Sequence, residues 1–198
     1  YCYFNLTSPT DTSELTFDVK LVDPSAWYHC VMAFDTTQAT DSNRIKFWLN
    51  GVLQNSNMAT ANWPSQNASF KWNEDLGGLN YFIGGISSFY TNTYLTEIHN
   101  VDGTALTADD FGEYSSEYPD VWNPKEYTGS YGTNGFYLNF SDNTNTTTIA
   151  EDQSGQGNDW TANNISVSGT GTDSMLDSPT MGSQSDTGAG GEVSGNYA

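Results

Sequence analysis

The sequence predicts an all-β protein, and three observations predict it. Several stretches alternate apolar and polar residues with period two, the mark of half-buried strands. Gly, Pro, Asn and Asp punctuate these stretches at short spacing, as turns between strands require. Apolar residues make up only 36% of the 198, yet aromatics reach 14%, which suits aromatic-rich strands joined by long polar loops. About eight candidate strands and one trivial helix add up to a β-sandwich.

Taken in order, residues 1–7 (YCYFNLT) are rich in β-formers and read as a strand. Over 14–22, Leu15, Phe17, Val19 and Leu21 fall on one face, and Thr16, Asp18 and Lys20 on the other. Asp23-Pro24-Ser25 makes a turn in which the proline sets the backbone angle. In 27–35, Tyr28, Cys30, Met32 and Phe34 share one face, and Trp27, His29, Val31 and Ala33 the other. Both faces should be covered, as in a central strand. After a polar loop at 36–43, Ile45, Phe47 and Leu49 point inward, and Asn50-Gly51 is a strong two-residue hairpin signal before Val52-Leu53.

Residues 55–80 are irregular, and 80–86 (NYFIGGI) read as a short strand stopped by Gly84-Gly85. Residues 94–101 alternate again, and Asp102-Gly103 turns. The one convincing helical fragment lies within 104–114, with Thr107 as N-cap and Asp110 where a capping box carries Glu. A Pro-, Gly- and Tyr-rich connector follows at 118–135, then a strand at 135–140, a tight loop at 152–160 and a short strand at 163–167. From Ser168 onward apolar residues nearly vanish, so this tail cannot bury a core of its own.

Twenty-four acidic against five basic residues give a net charge of −19. Such a surface repels phosphate backbones and anionic lipid, so neither nucleic-acid binding nor membrane insertion is expected. Cys2 and Cys30 sit inside apolar runs and are expected as buried free thiols, or as a disulfide if their strands lie side by side with matched faces. No CxxC spacing exists, which removes a thiolate zinc site.

One set of residues carries a resemblance. Trp27-Tyr28-His29, Asp35, Arg44 and Leu49-Asn50-Gly51 resemble the strand–loop–hairpin signature of concanavalin A-like, laminin-G-like jelly-roll domains. YLTEIHNVDGTALTADDFGE (94–113) is similar to that family's late strand, turn and short helix. A closer likeness is to a subgroup in marine tailed phages. It shares segments like VWNPKEYTGSYGTNGFYLNFSD and DQSGQGNDWTANNISV, then a linker like SQSDTGAGGEVSGNYA. The likeness spans residues 20–198.

The resemblance implies a jelly roll over 1–117 that lacks its N-terminal strands, since a complete domain has several before residue 1. It implies a connector at 118–167 that closes this sandwich or starts another, and a Gly/Ser-rich linker or donated tail at 168–198. It implies a phage tail-fibre-like virion or extracellular appendage protein, acting in surface and glycan recognition and in assembly. The alternative is a purely structural subunit of a fibre assembled by strand exchange at open edges. The partners it implies are further copies of the chain, other appendage subunits and host cell-surface glycans.

Jelly-roll glycosidases need two carboxylates about 5 Å apart for a retaining mechanism. Here Glu97 and His99 share a face of one strand, which is one carboxylate beside one histidine. No catalytic residue is assigned, no enzymatic activity is expected, and His29 and His99 are read as structural. Aromatics in polar loops, Trp63, Trp72, Tyr90 and Tyr94, are the candidates for glycan binding, or else plug the ends of the sandwich. Trp27 and Trp48 lie in strands and are assigned to the core. Asp152, Asn158 and Asp159 form an oxygen-rich glycine loop with the chemistry of a calcium site, or a tight turn capped by Asx hydrogen bonds. Asn-x-Ser/Thr sequons stand at Asn5, Asn67, Asn139, Asn145 and Asn164, and become glycan sites only if the host glycosylates.

Overall fold

Twelve short β-strands and three single-turn 3-10 segments make up the regular structure, with no α-helix among the described residues. The computed structural model describes residues 2–7, 12–23, 25–69, 82–86, 89–90 and 93–168, the backbone alone at 2–7, 12–13, 86 and 89–90. All strand pairs are antiparallel and the sheets are small. The all-β expectation therefore holds. The chain divides into two compact units, the first drawing mainly on Tyr1–Trp72 and Ala105–Tyr127, the second on Asn73–Thr104 and Thr128–Asn196.

In the first unit, β1 (Cys2–Thr7), β2 (Thr12–Phe17) and β6 (Met58–Asn62) form one sheet in the order β1-β2-β6. β3 (Cys30–Phe34), β4 (Ile45–Leu49) and β5 (Val52–Leu53) form another in the order β3-β4-β5. The period-two alternation explains how they meet. Leu15, Phe17 and Val19 on one side and Ile45 and Phe47 on the other make a single buried cluster, with Met32, Phe34, Leu49, Met58 and Trp63 packed around it. Phe17 and Phe47 touch with ring centroids 5.0 Å apart. Burying each such side chain contributes about 1.5–3 kcal/mol.

The opposite face of the β3–β4 ribbon is also covered. Val31 and Trp48 join Ala108 there, with Ala33, Phe111 and Trp122 against them. β10 (Gly112–Tyr114) and β11 (Trp122–Pro124), a separate hairpin, supply Trp122. The Asn50-Gly51 turn has φ of 47° and 77°; with positive φ at both central residues it is the turn that matches strand twist.

Several expectations need correction. β2 ends at Phe17, and a register irregularity between Thr16 and Phe17 starts the departure. Val19 is still buried, but Leu21 is exposed, because the chain has already turned toward the Asp23 loop. Trp27 precedes β3 and is 36% exposed, so it is not core. Cys30 opens β3 at the end of its ladder with Leu49 and is exposed rather than buried. Cys2 has no described side chain, and Pro24 lies outside the described residues.

β6 and β11 arise in stretches read as irregular. The pair of glycines does not stop a strand: Gly84 has φ 81°, and Gly85 begins β7 (Gly85–Ile86), which pairs with β8 (Phe89–Tyr90). The alternating run at 94–101 contributes only β9 (Ile98–Asn100), because Glu97 takes φ 51°, a left-handed conformation that no strand continues through. The helical fragment shrinks to one 3-10 turn, Ala108–Asp110. Its capping is as expected: Asp110 Oδ2 accepts from the Thr107 N–H at 2.8 Å and the Thr107 hydroxyl at 3.1 Å. Residues 163–167 form no strand. The tail beyond Ser168 lies outside the described residues.

The second unit has a different interior. β12 (Phe136–Leu138) pairs with β9, setting Tyr137 opposite His99. Tyr131, Phe136, Leu138, Ile149 and Ala150 are buried, and the Trp160 ring stands edge-on to Phe136 at 5.0 Å.

Candidate functional site

Of the aromatics expected to bind glycans, Trp63 and Tyr94 have described side chains. Trp63 is half-buried and packs against the Phe17–Phe47 cluster, so it plugs the end of the core. Trp72 lies outside the described residues, and of Tyr90 only the backbone, in β8, is described. Tyr94 is 69% exposed. Of the four, it alone presents a described, solvent-facing ring.

The glycine loop folds around Asp152, a carboxylate only 8% exposed. Asp152 Oδ1 accepts from the backbone N–H groups of Tyr137 and Ser154, both at 2.8 Å. Oδ2 accepts from the Ser154 hydroxyl at 2.8 Å and the Asn158 N–H at 3.0 Å. A carboxylate offers about four acceptor positions, and four donors fill them. Burial alone would raise the Asp152 carboxyl, but these hydrogen bonds outweigh it and hold the group below its usual 3.8.

Asp159 Oδ1 accepts from the Asp152 N–H, and Asn158 Nδ2 donates to the carbonyls of Thr133 and Gly135. Gly155 and Gly157 take φ of 82° and 76°, which closes the loop. A cation at Asp152 would have to displace N–H donors. Among the described residues no three His, Cys, Asp or Glu side chains meet as a metal-holding group. The loop has a mechanical role instead. The Asp152 carboxylate takes the N–H of Tyr137, and the Gln153 N–H donates to the Tyr137 carbonyl at 2.8 Å. One dipeptide thus flanks β12 as a strand would.

Sequence reasoning paired Glu97 with His99, and the structure adds two tyrosines. Glu97 Oε2 lies 3.9 Å from His99 Nε2 and accepts the Tyr137 hydroxyl. His99 Nδ1 meets the Tyr131 hydroxyl at 2.8 Å. The imidazole stacks on Tyr137 at 4.3 Å and 7°. A left-handed Glu97 turns its carboxylate into this group. Tyr131 is buried, and the Glu97 carboxylate with His99 and the two tyrosines forms a polar cluster in the second unit. Chain separation hid Tyr131, 32 residues away.

His29 is likewise bound into packing. Its Nδ1 accepts from the Trp122 indole N–H at 3.0 Å, and burial pushes the imidazole below its usual 6.5. Its backbone N–H donates to Asn50 Oδ1 and its carbonyl accepts from the Asn50 N–H. Trp122 lies directly beneath Gly51, and a Cβ on Gly112 would stand 2.6 Å from its ring. Arg44 closes the loop behind the ribbon by donating to the carbonyls of Gln38, Ala39 and Pro64.

Of the sequons, Asn139 and Asn145 spend their side-chain oxygens on Asx turns to Ser141, Thr147 and Thr148. Asn67 and Asn164 are exposed with φ of 61° and 56°. For Asn5 only the backbone, in β1, is described. No family model, no curated protein and no solved structure matches the chain.

Proposed function

We propose that the chain is a non-enzymatic module of a virion or extracellular appendage, of the phage tail-fibre kind and on a concanavalin A-like jelly-roll plan. Its work is surface and glycan recognition together with assembly. One observation carries this reading. Large apolar side chains stand exposed in adjacent pairs, Leu21 with Val22, Val52 with Leu53, Phe82 with Ile83 and Tyr94 with Leu95. Of these pairs Val52-Leu53 lies in a strand, where alternation would bury one of the two. Exposing both favours contact with another surface, and a charge of −19 turns that contact away from nucleic acid and anionic lipid.

The partners are then further copies of the chain, other appendage subunits and host cell-surface glycans. A second reading, a purely structural fibre subunit built by strand exchange, draws on β5 and β6. Among the described residues each pairs on one side only. Sedimentation of the full chain together with a glycan array tests both. Self-association with glycan binding is expected, and Tyr94→Ala should weaken the binding. A monomer that binds no glycan overturns the proposal, self-association without glycan binding leaves the structural reading, and turnover of a polysaccharide overturns the non-enzymatic part.

A further inference from the structure

We infer that the β10–β11 hairpin is a saccharide-binding platform, with Tyr114 and Tyr118 as its aromatic surface and a preference for uncharged or amine-bearing sugars. This rests on the glycan-recognition reading above but places it at residues outside those expected from sequence.

The hairpin is anchored from below. Trp122 is held by its hydrogen bond to His29 and wedged under Gly51 and Gly112. Tyr114 is paired with Trp122 across the ladder and stands edge-on to the indole, centroids 5.0 Å apart at 82°. Its ring is fixed by that contact yet 50% exposed, and Tyr118 in the connecting loop is 62% exposed. The loop is tied internally. The Ser115 N–H donates to the Val121 carbonyl and the Val121 N–H to the Tyr118 carbonyl, both at 2.8 Å. Ser115 Oγ accepts from the N–H groups of Glu117 and Tyr118, both at 3.2 Å. A platform already ordered loses little entropy on binding.

The chemistry selects the ligand. Tyrosine offers a broad amphipathic surface with few torsions to freeze, and the negative face of its ring attracts the positively polarised C–H groups of a pyranose. Glu117 and Asp120 are exposed in the loop that carries Tyr118, and no residue of that loop, 115–121, is basic. Carboxylates accept hydrogen bonds from sugar hydroxyls or from an ammonium group, and repel carboxylated or sulfated sugars.

The test is titration of the full chain against three sets of oligosaccharides: neutral β-glucan and manno-oligomers, glucosamine oligomers, and sulfated glycosaminoglycan fragments. Binding to the first or second set is expected, with Tyr118→Ala weakening it by about tenfold or more. Trp63→Ala should leave affinity unchanged in the folded fraction. Circular dichroism of Tyr118→Ala checks that the fold is intact. If the chain binds sugars but Tyr118→Ala and a Glu117→Gln/Asp120→Asn double variant bind as the parent does, the hairpin is not the site, although glycan recognition stands. Binding confined to the sulfated set overturns the hairpin assignment, and no binding to any set overturns both.

Discussion

The two units of this chain reach order by different chemistry. The first is an apolar construction in which Leu15, Phe17, Ile45 and Phe47 meet between two sheets, and Val31 and Trp48 meet Ala108 and Trp122 on the far side of one. The second leans on polar side chains. A buried carboxylate, Asp152, gathers four donors, and a His99–Tyr137 stack closes on Glu97 and Tyr131. A polar, aromatic-rich composition can therefore fold in two ways. It can concentrate its apolar residues in a few alternating strands, or it can satisfy buried polar groups one by one.

The largest perturbation expected is Phe47→Ala. It removes a ring in contact with Phe17 at the centre of the first unit and should cost about 3–5 kcal/mol. Urea denaturation followed through the environment of Trp122 would report it. Asp152→Ala leaves three backbone N–H groups in the second unit without their acceptor and should cost about 2–4 kcal/mol. Trp160, edge-on to Phe136, is the local probe. If either change melts both probes in one transition, the two constructions are not separable and the comparison fails.

Gly51→Ala is expected to cost about 2 kcal/mol, since φ 77° disfavours a Cβ and Trp122 occupies the space that Cβ would enter. Val52→Ala, at an exposed neighbouring position, should stay within about 0.5 kcal/mol. Equal losses at the two positions would mean that the close approach of Trp122 is not what restrains Gly51.

Acid should separate the units by pH window. His29 is held below 6.5 in the folded state, so the unfolded chain takes up that proton first. The stability tied to its neutral form is complete above 6.5 and is lost as pH falls from there through the folded value. The carboxyl of Asp152 is held below 3.8, so its contribution persists above 3.8 and is lost only as pH falls below that. Thermal melts from pH 8 to 3, read at Trp122 and Trp160, should show the first unit weakening at higher pH than the second. The reverse order would sink this assignment. The smallest effect is expected from calcium, because Asp152 has its oxygens filled by donors. Addition of calcium or EDTA should leave both melts in place, and a calcium-dependent rise at Trp160 would show that the loop reorganises around a cation.

What could be read from sequence follows the same division. Alternation exposed β2, β3 and β4 because apolar burial writes a period into the chain, and Asn50-Gly51 named its own turn. β6 was invisible because its MATAN sequence buries little and is held by backbone pairing to β2. β11 was invisible because Trp122-Asn123-Pro124 carries no alternation, and its tryptophan is placed by partners far along the chain, Gly51 and His29, 71 and 93 residues away. The Thr107–Asp110 cap is local and could be recognised, whereas the union of Glu97 and His99 with Tyr131 and Tyr137 joins residues 32 to 40 apart. Among the glycan candidates, Trp63 takes the alternative of plugging the core, because a tryptophan in a polar stretch looks the same whether it faces water or caps a core.

The β3–β4 ribbon carries a consequence for how the chain finds its fold. Both of its faces are committed, Ile45 and Phe47 to one cluster and Trp48 to the other. A slip of one residue would send the Trp48 indole toward Phe17 and leave Phe47 under Ala108, exchanging occupants that differ in size. In a sheet with one wet face such a slip exposes apolar groups to water. Here it would instead jam two interiors at once, so the paired hydrogen bonds between His29 and Asn50 at the end of the ribbon lock a single pairing that both interiors then enforce.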